Sequence, residues 1–268
     1  MNSKLNRTYM SLKQNYPFEI FKHLPHTQML FIEGTGDTPF NMGDEYGDVR
    51  DRGNVRQVHP VHLSDFYLAQ YPVTQALWYE VMKGTELAEP SAFKSKNRPV
   101  EQVSWDDICG EGGFLERLNQ IPHIRALNEK YEKQFRLPTE AQWEYAARGG
   151  KNRHTHSYKY AGSNHLKEVG WYDTNSHQST QPVGLKMPNS LDLYDMSGNV
   201  REWCTDHWHG YSEGLKNGDK AVEKEGERRR LVRGGSWDYF DDFCRVAIRF
   251  RNYLSDRNYY YGCRLSWY

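Results

Sequence analysis

Four cysteines are the residues of this chain best suited by type to covalent or metal chemistry: Cys109, Cys204, Cys244 and Cys263. Structural zinc sites draw on CxxC-like pairs, and none of the four belongs to one. In a reducing compartment they read as four free thiols, with a Cys244–Cys263 bridge as the alternative. His59 and His62, His154 and His156, and His207 and His209 are close in sequence. Loop and strand histidines rarely converge on a metal by chance, and these read as solvated side chains. No metal centre is expected from them.

A different chemistry is concentrated between Asp238 and Ser266, "DYFDDFCRVAIRFRNYLSDRNYYYGCRLS". This stretch has no Lys, Glu, Gln or Met, and it is crowded with Tyr, Phe, Asp and Asn between Arg245, Arg249, Arg251, Arg257 and Arg264. Asn codons of the form AAC, rewritten at their adenines, yield Asn, Tyr, Asp, Phe, Ser, Leu and Ile, and exclude Lys, Glu, Gln, Met and Trp. The slots between the arginines fit that set: Asp238, Tyr239, Phe240, Phe243, Ile248, Phe250, Tyr253, Leu254, Ser255, Tyr259, Tyr260 and Tyr261. Tyrosine offers large contact area and a hydrogen bond at low entropic cost, as in antibody paratopes. Most of these residues are therefore expected to be exposed and clustered, as binding hot spots are. The competing reading packs the rings in the core.

Elements that could position such a face are legible upstream. "MLFIEG" (Met29–Gly34) alternates as a strand, and "HPVHLSDFYLAQYPVT" reads as strand, turn, strand. Thr74 caps a helix over "QALWYEVMKG" that ends at Gly84. Ser104 caps a second, "SWDDICGEGGFLERLNQ", weakened and bent by Gly110, Gly112 and Gly113. "IRALNEKYEKQ" continues as a helical insertion, and Thr139 and Glu140 open a short helix closed by Gly149–Gly150. Beyond His154 the chain reads as short strands, turns and loops, with a charged insertion from Glu213 to Arg230. Two main helices, short strands and extensive loops make an α+β domain. Residues 1–26 read as an N-terminal extension and 27–268 as the domain.

Several segments recur in a fixed order: "FNMGD" (Phe40–Asp44), "YPVTQALW" (Tyr71–Trp78), "RPVEQVSWDD" (Arg98–Asp107), "FRLPTEAQWEYAARGG" (Phe135–Gly150), "NSLDLYDMSGNVREW" (Asn189–Trp203), "RLVRGGSW" (Arg230–Trp237) and "GCRL" (Gly262–Leu265). In this order and spacing they resemble the formylglycine-generating-enzyme and sulfatase-modifying-factor family, which implies a C-type-lectin-like fold. Physically, "RGGSW" puts two glycines where backbones approach closely or take positive φ. Arg136, Arg233 and Arg264 are suited to satisfying buried loop carbonyls.

The resemblance also bears on activity. The family's oxidases carry two copper-binding cysteines, five residues apart, shortly after the GGS motif. In "GGSWDYFDDFCR" the second matches Cys244 and the first falls on Tyr239. Linear Cu(I) needs two soft thiolates, which a phenol cannot replace, so no enzyme is expected. The alternative, a thiol and copper oxidase acting on a cysteine substrate, would need Cys263 as the second thiolate. Family calcium sites imply Asn175, Asp192, Asn199 and Glu202 as oxygen donors, but the acidic partner expected at 175–190 is missing and no cofactor is expected. The C-terminal composition and "GCRL" resemble the variable proteins of diversity-generating retroelements, whose variable region, here about 237–261, lies at the C-terminal end of this fold. That implies a non-catalytic module whose diversified face grips a macromolecular ligand, a protein above all.

Composition narrows the partners. The 268 residues carry 35 basic and 35 acidic side chains, so general attraction to nucleic acid or anionic membrane is not expected. No apolar run is long enough to span a bilayer, and Met1–Lys13 lacks the apolar core of a secretory signal. A cytoplasmic protein is the simplest expectation.

Overall fold

A computed structural model describes residues 17–44, 58–154, 157–210 and 217–268. The strands are β1 (Phe18–Glu19), β2 (Gln28–Ile32), β3 (Phe40–Met42), β4 (His59–Val61), β5 (Phe66–Ala69), β6 (Phe135–Arg136), β7 (Arg201–His207), β8 (Arg229–Arg233), β9 (Arg249–Tyr253), β10 (Tyr261–Gly262) and β11 (Ser266–Trp267). The helices are α1 (Gln75–Met82), α2 (Trp105–Cys109), α3 (Phe114–Gln120), α4 (Pro122–Tyr131), α5 (Glu140–Ala147) and α6 (Leu166–Val169).

Local chemistry sets the helix ends. Thr74 accepts a hydrogen bond from the Leu77 amide at 3.2 Å, as its capping role requires. Ser104 and Asp107 form a reciprocal capping box at the start of α2, and Thr139 and Gln142 do the same for α5. The helix expected over "SWDDICGEGGFLERLNQ" is two helices, α2 and α3. A Cβ at Gly110 would lie 2.5 Å from the Asp106 carbonyl oxygen, so the glycines break the helix outright. The α+β class stands, with the second expected helix broken in two.

Beside a two-stranded β3-β4 sheet, two larger sheets organise the rest. One runs β1-β2-β5-β11-β6 and the other β10-β7-β8-β9. The expected N-terminal extension ends too early in the chain to be drawn at residue 26. Phe18 and Glu19 pair with Met29 and Gln28, Ile20 and Phe21 are buried, and the Phe18 ring meets Tyr67 and Trp267 edge-on. The domain therefore begins by residue 18. Residues 1–16, His156 and the start of the charged insertion (213–216) lie outside the described residues.

The second sheet brings the C-terminal segment to the GNVREW motif. β10 runs parallel to β7, with Tyr261 beside Arg201. β9 is the outer strand on the other side, with Phe250 paired to Val232 and Val232 to Trp203.

α5 packs against β3, β7 and β8 and is buried throughout, including Glu140 and Glu144. Arg233 pairs with Glu144 and donates to the Ile248 carbonyl. Arg249 holds Glu140 with two hydrogen bonds of 2.6 and 2.7 Å. Arg264 pairs with the buried Glu202 and donates to the carbonyls of Ala69 and Tyr194. Arg233 and Arg264 thus do the work expected of them. Arg136 does not: it is exposed and lies over the Tyr268 ring.

Removing one partner of a buried pair strands the other charge. Arg264→Met is expected to destabilise the fold by roughly 3–5 kcal/mol, read as a lower urea midpoint.

The buried carboxyls also set the pH response. Burial alone would raise Glu144, but Arg148 and Arg233 outweigh it and hold the carboxyl at about 2. That stability is present above the ordinary carboxylate range and is lost as pH falls through it. Burial pushes Glu101 up to about 7 and Asp195 to about 6. Burial and then the Glu140 charge push Asp206 to about 7. Carboxyls raised in this way are most compatible with folding when protonated, and cost stability as pH rises through 4 to 7. The urea midpoint is therefore expected to be higher near pH 5 than at pH 8, and to fall again below pH 4. A midpoint that climbs steadily from pH 5 to 8 would contradict these assignments.

Candidate ligand-binding face

The segment after β8 starts with a tight packing constraint. Gly234 and Gly235 have φ of +97° and +69°, and a Cβ on Gly235 would sit 2.5 Å from the Cys244 sulfur. This is the close approach that "RGGSW" predicted. Trp237 is buried, donates to the Tyr259 carbonyl at 2.8 Å and packs edge-on against Phe93. It fastens the 238–244 loop to the 254–260 loop. The latter is anchored again by Arg257, which meets Asp107 through two hydrogen bonds of 2.6 Å. The Asp106 amide also donates to the Leu254 carbonyl.

On this frame the rings form one connected patch. Tyr239 contacts Phe243, Phe250 and Tyr260, and Tyr260 contacts Tyr259. Phe240 is 67% exposed, Tyr253 56%, Tyr259 42% and Phe243 38%. Asp238 and Ser255 are exposed, while Tyr239, Phe250, Leu254 and Tyr260 are half-buried. Two residues expected on the face belong to the core. Ile248 is buried, and its carbonyl takes the Arg233 hydrogen bond. Tyr261 is buried on β10 against Trp203, because parallel pairing with β7 turns its ring inward.

Beneath the patch lies a residue that sequence reasoning missed. Arg201 is 4% exposed. Its guanidinium carbon is 3.7 Å from the Tyr239 ring centre, 3.6 Å from that of Phe250 and 5.3 Å from that of Tyr260. In "GNVREW" it alternates with Val200 and Glu202 and shares the inward face of Trp203, a position where a charge is unexpected. That mismatch was the only available signal.

The metal and thiol expectations can be tested on the side chains. The Cys244 thiol is fully buried 3.9 Å from the Ser236 carbonyl, and burial pushes it up to about 12. Cys263 packs in a different core cluster from Cys244. A Cu(I) site does not fit here: no second thiol shares the core cluster of Cys244. Three of the four calcium donors that the resemblance implies are engaged within the protein. Glu202 is spent on Arg264 and Trp143, Asn199 accepts from the Gln181 amide, and Asn175 accepts from the Tyr172 amide. Among the described residues no group of three or more His, Cys, Asp or Glu is placed to hold a metal.

The two large clefts, of about 740 and 700 Å³, are lined by residues such as Arg148, Arg153 and Tyr158, and Trp78, Tyr79 and Lys94. None of the face residues lines either. No described helix is long and apolar enough to cross a membrane.

The architecture, short helices around two small curled sheets with a long looped C-terminal half, is C-type-lectin-like. Residues 18–267 match the family model described as sulfatase-modifying factor enzyme 1-like domain, and the chain belongs to that family. It is 36% identical over 216 residues to the chaperone protein LppX of Paenibacillus barcinonensis, covering 66% of this chain and 71% of that one. It is 31% identical to serine/threonine-protein kinase pkn1 of Chlamydia caviae over 90% of this chain, but spans only 38% of the kinase's length. Among solved structures, Treponema denticola variable protein 1 superposes with a TM-score of 0.73 at 28% identity, over 94% of this chain and 98% of that one.

Core and face are separable by mutation. Phe240→Ser and Tyr253→Ser remove exposed rings and are expected to shift unfolding free energy by no more than about 0.5 kcal/mol. Tyr261→Ser removes a buried ring and is expected to cost about 3–5 kcal/mol. Urea denaturation of the three variants checks the assignment.

Proposed function

We propose that this protein is a non-catalytic binding module whose diversified aromatic face grips a protein ligand. The face comprises Asp238, Tyr239, Phe240, Phe243, Phe250, Tyr253, Leu254, Ser255, Tyr259 and Tyr260. The observation that carries this reading is the connected patch of exposed and half-buried rings on a frame held by buried arginines. A monomer rarely leaves so large an aromatic surface uncovered without a binding role, and its open form suits a macromolecule better than a small molecule. The likeness to a variable protein of Treponema denticola supports the same reading. An oxidase is disfavoured by a tyrosine where the resemblance puts the first copper cysteine, and by a Cys244 with no second thiol in its core cluster.

Diversification is tested at the gene. Sequencing the locus is expected to find a reverse transcriptase gene beside a near-copy of the 3′ coding region. The two copies would differ only where the template has adenine, and at codons of the face residues. Differences scattered over all four bases, or no near-copy, would overturn diversification by a retroelement and leave the patch as a fixed binding site.

A further inference from the structure

We propose that the face captures its ligand by a carboxylate, a single acidic side chain of a protein partner that inserts among Tyr239, Phe250 and Tyr260 and pairs with Arg201. The inference rests on the binding reading above and names the chemistry that the site recognises.

Six arginines are buried in the described structure: Arg201, Arg230, Arg233, Arg245, Arg249 and Arg264. Five have an acidic partner: Glu223, Glu144, Asp44, Glu140 and Glu202 respectively for Arg230, Arg233, Arg245, Arg249 and Arg264. Arg201 has none among the described residues, and its Nε and Nη2 lack both a hydrogen-bond partner and solvent. A buried cation without a partner is costly. Tyr239 and Phe250, both within 3.7 Å of the guanidinium carbon, offset part of that cost through cation–π attraction. Ring carbons accept no ordinary hydrogen bond, so the Nε and Nη2 donors stay unused.

Among the described residues no carboxylate pairs with Arg201, and the phenols and thiol around it are held protonated. Burial and then Tyr239 raise the Tyr260 phenol, burial raises that of Tyr261, and burial holds the Cys244 thiol neutral. The missing group is an acceptor that approaches in the guanidinium plane, which is the geometry of a carboxylate. With water excluded by the rings, such a pair is strong and geometrically selective.

The rim refines the choice. Asp238 precedes Tyr239 in the chain, the Asp173 amide donates to the Tyr239 carbonyl, and both aspartates are exposed. They repel a run of acidic residues and suit one acid flanked by neutral or basic neighbours. Arg201 itself lies outside the 237–261 stretch. It would remain as a constant anchor beneath whatever rings surround it.

An array of random peptides, each with a free and with an amidated C-terminus, tests this on the whole chain. The wild type is compared with Arg201→Met, and with Phe240→Ser and Tyr259→Ser to identify peptides that use the face. Face-binding peptides are expected to carry one Asp or Glu, whichever terminus they have. Changing it to Asn or Gln should weaken binding at least about tenfold on the wild type and hardly at all on Arg201→Met, the coupling that a direct pair requires. Arg201→Met is expected to melt at or above the wild type, since it removes an unpaired buried charge, so lost binding would not reflect unfolding. If the preference appears only with a free C-terminus, the anion is a chain end and the side-chain assignment is wrong. Face-binding peptides with no acidic residue and no response to Arg201→Met would overturn the carboxylate inference while leaving the binding face intact. Peptides indifferent to Phe240→Ser and Tyr259→Ser alike would overturn the face itself, and this inference with it.

Discussion

The fold depends on carboxylates taken out of water. Glu140, Glu144 and Glu202 are fully buried, and each is tolerable only because an arginine from the C-terminal half reaches it. Arg233 comes from the end of β8, Arg249 from the start of β9 and Arg264 from just before β11. Those pairs fix where the backbone enters and leaves the aromatic stretch. Between the fixed points, side chains are free to differ, because the loops are held by arginines, by Trp237 and by main-chain bonds rather than by the exposed rings. Loop-rich architecture and a tolerant surface therefore share one cause.

The sequence revealed elements whose signals are local. Thr74, Ser104 and Thr139 announce their caps through side chains that bond within the next turn. The glycines of "RGGSW" announce a crowded turn, and the structure puts the Cys244 sulfur where a Cβ would be. The same logic failed where partners are distant. Phe18 gives no hint that it pairs with β2 and meets Trp267, so the domain boundary was drawn too late. The break between α2 and α3 was underestimated, because the cost of a Cβ at Gly110 depends on a carbonyl one turn back.

The candidate face shows the same division. The excess of Tyr, Phe, Asp and Asn singled out one stretch, and most of its named residues are exposed or half-buried and lie together. Ile248 and Tyr261 did not, since their burial is decided by sheet register, β10 against β7 and β9 against β8. Composition alone cannot see register. Arg201 was missed for a related reason: its importance comes from rings that lie far from it in sequence and from the absence of a partner, which only packing reveals.

One feature of the topology reaches back to the moment the protein is made. β11 lies between β5 and β6 in the five-stranded sheet, and Trp267 is buried there with its indole nitrogen bonded to Asn128. Translation reaches this strand only after the whole aromatic stretch has been synthesised. The sheet cannot close around a partly made face, and contacts this far apart in the chain form slowly. The aromatic stretch is thus exposed as unfolded polypeptide before its scaffold exists. Chaperones and proteases meet it first, so any change in its sequence passes a test of folding before a test of function.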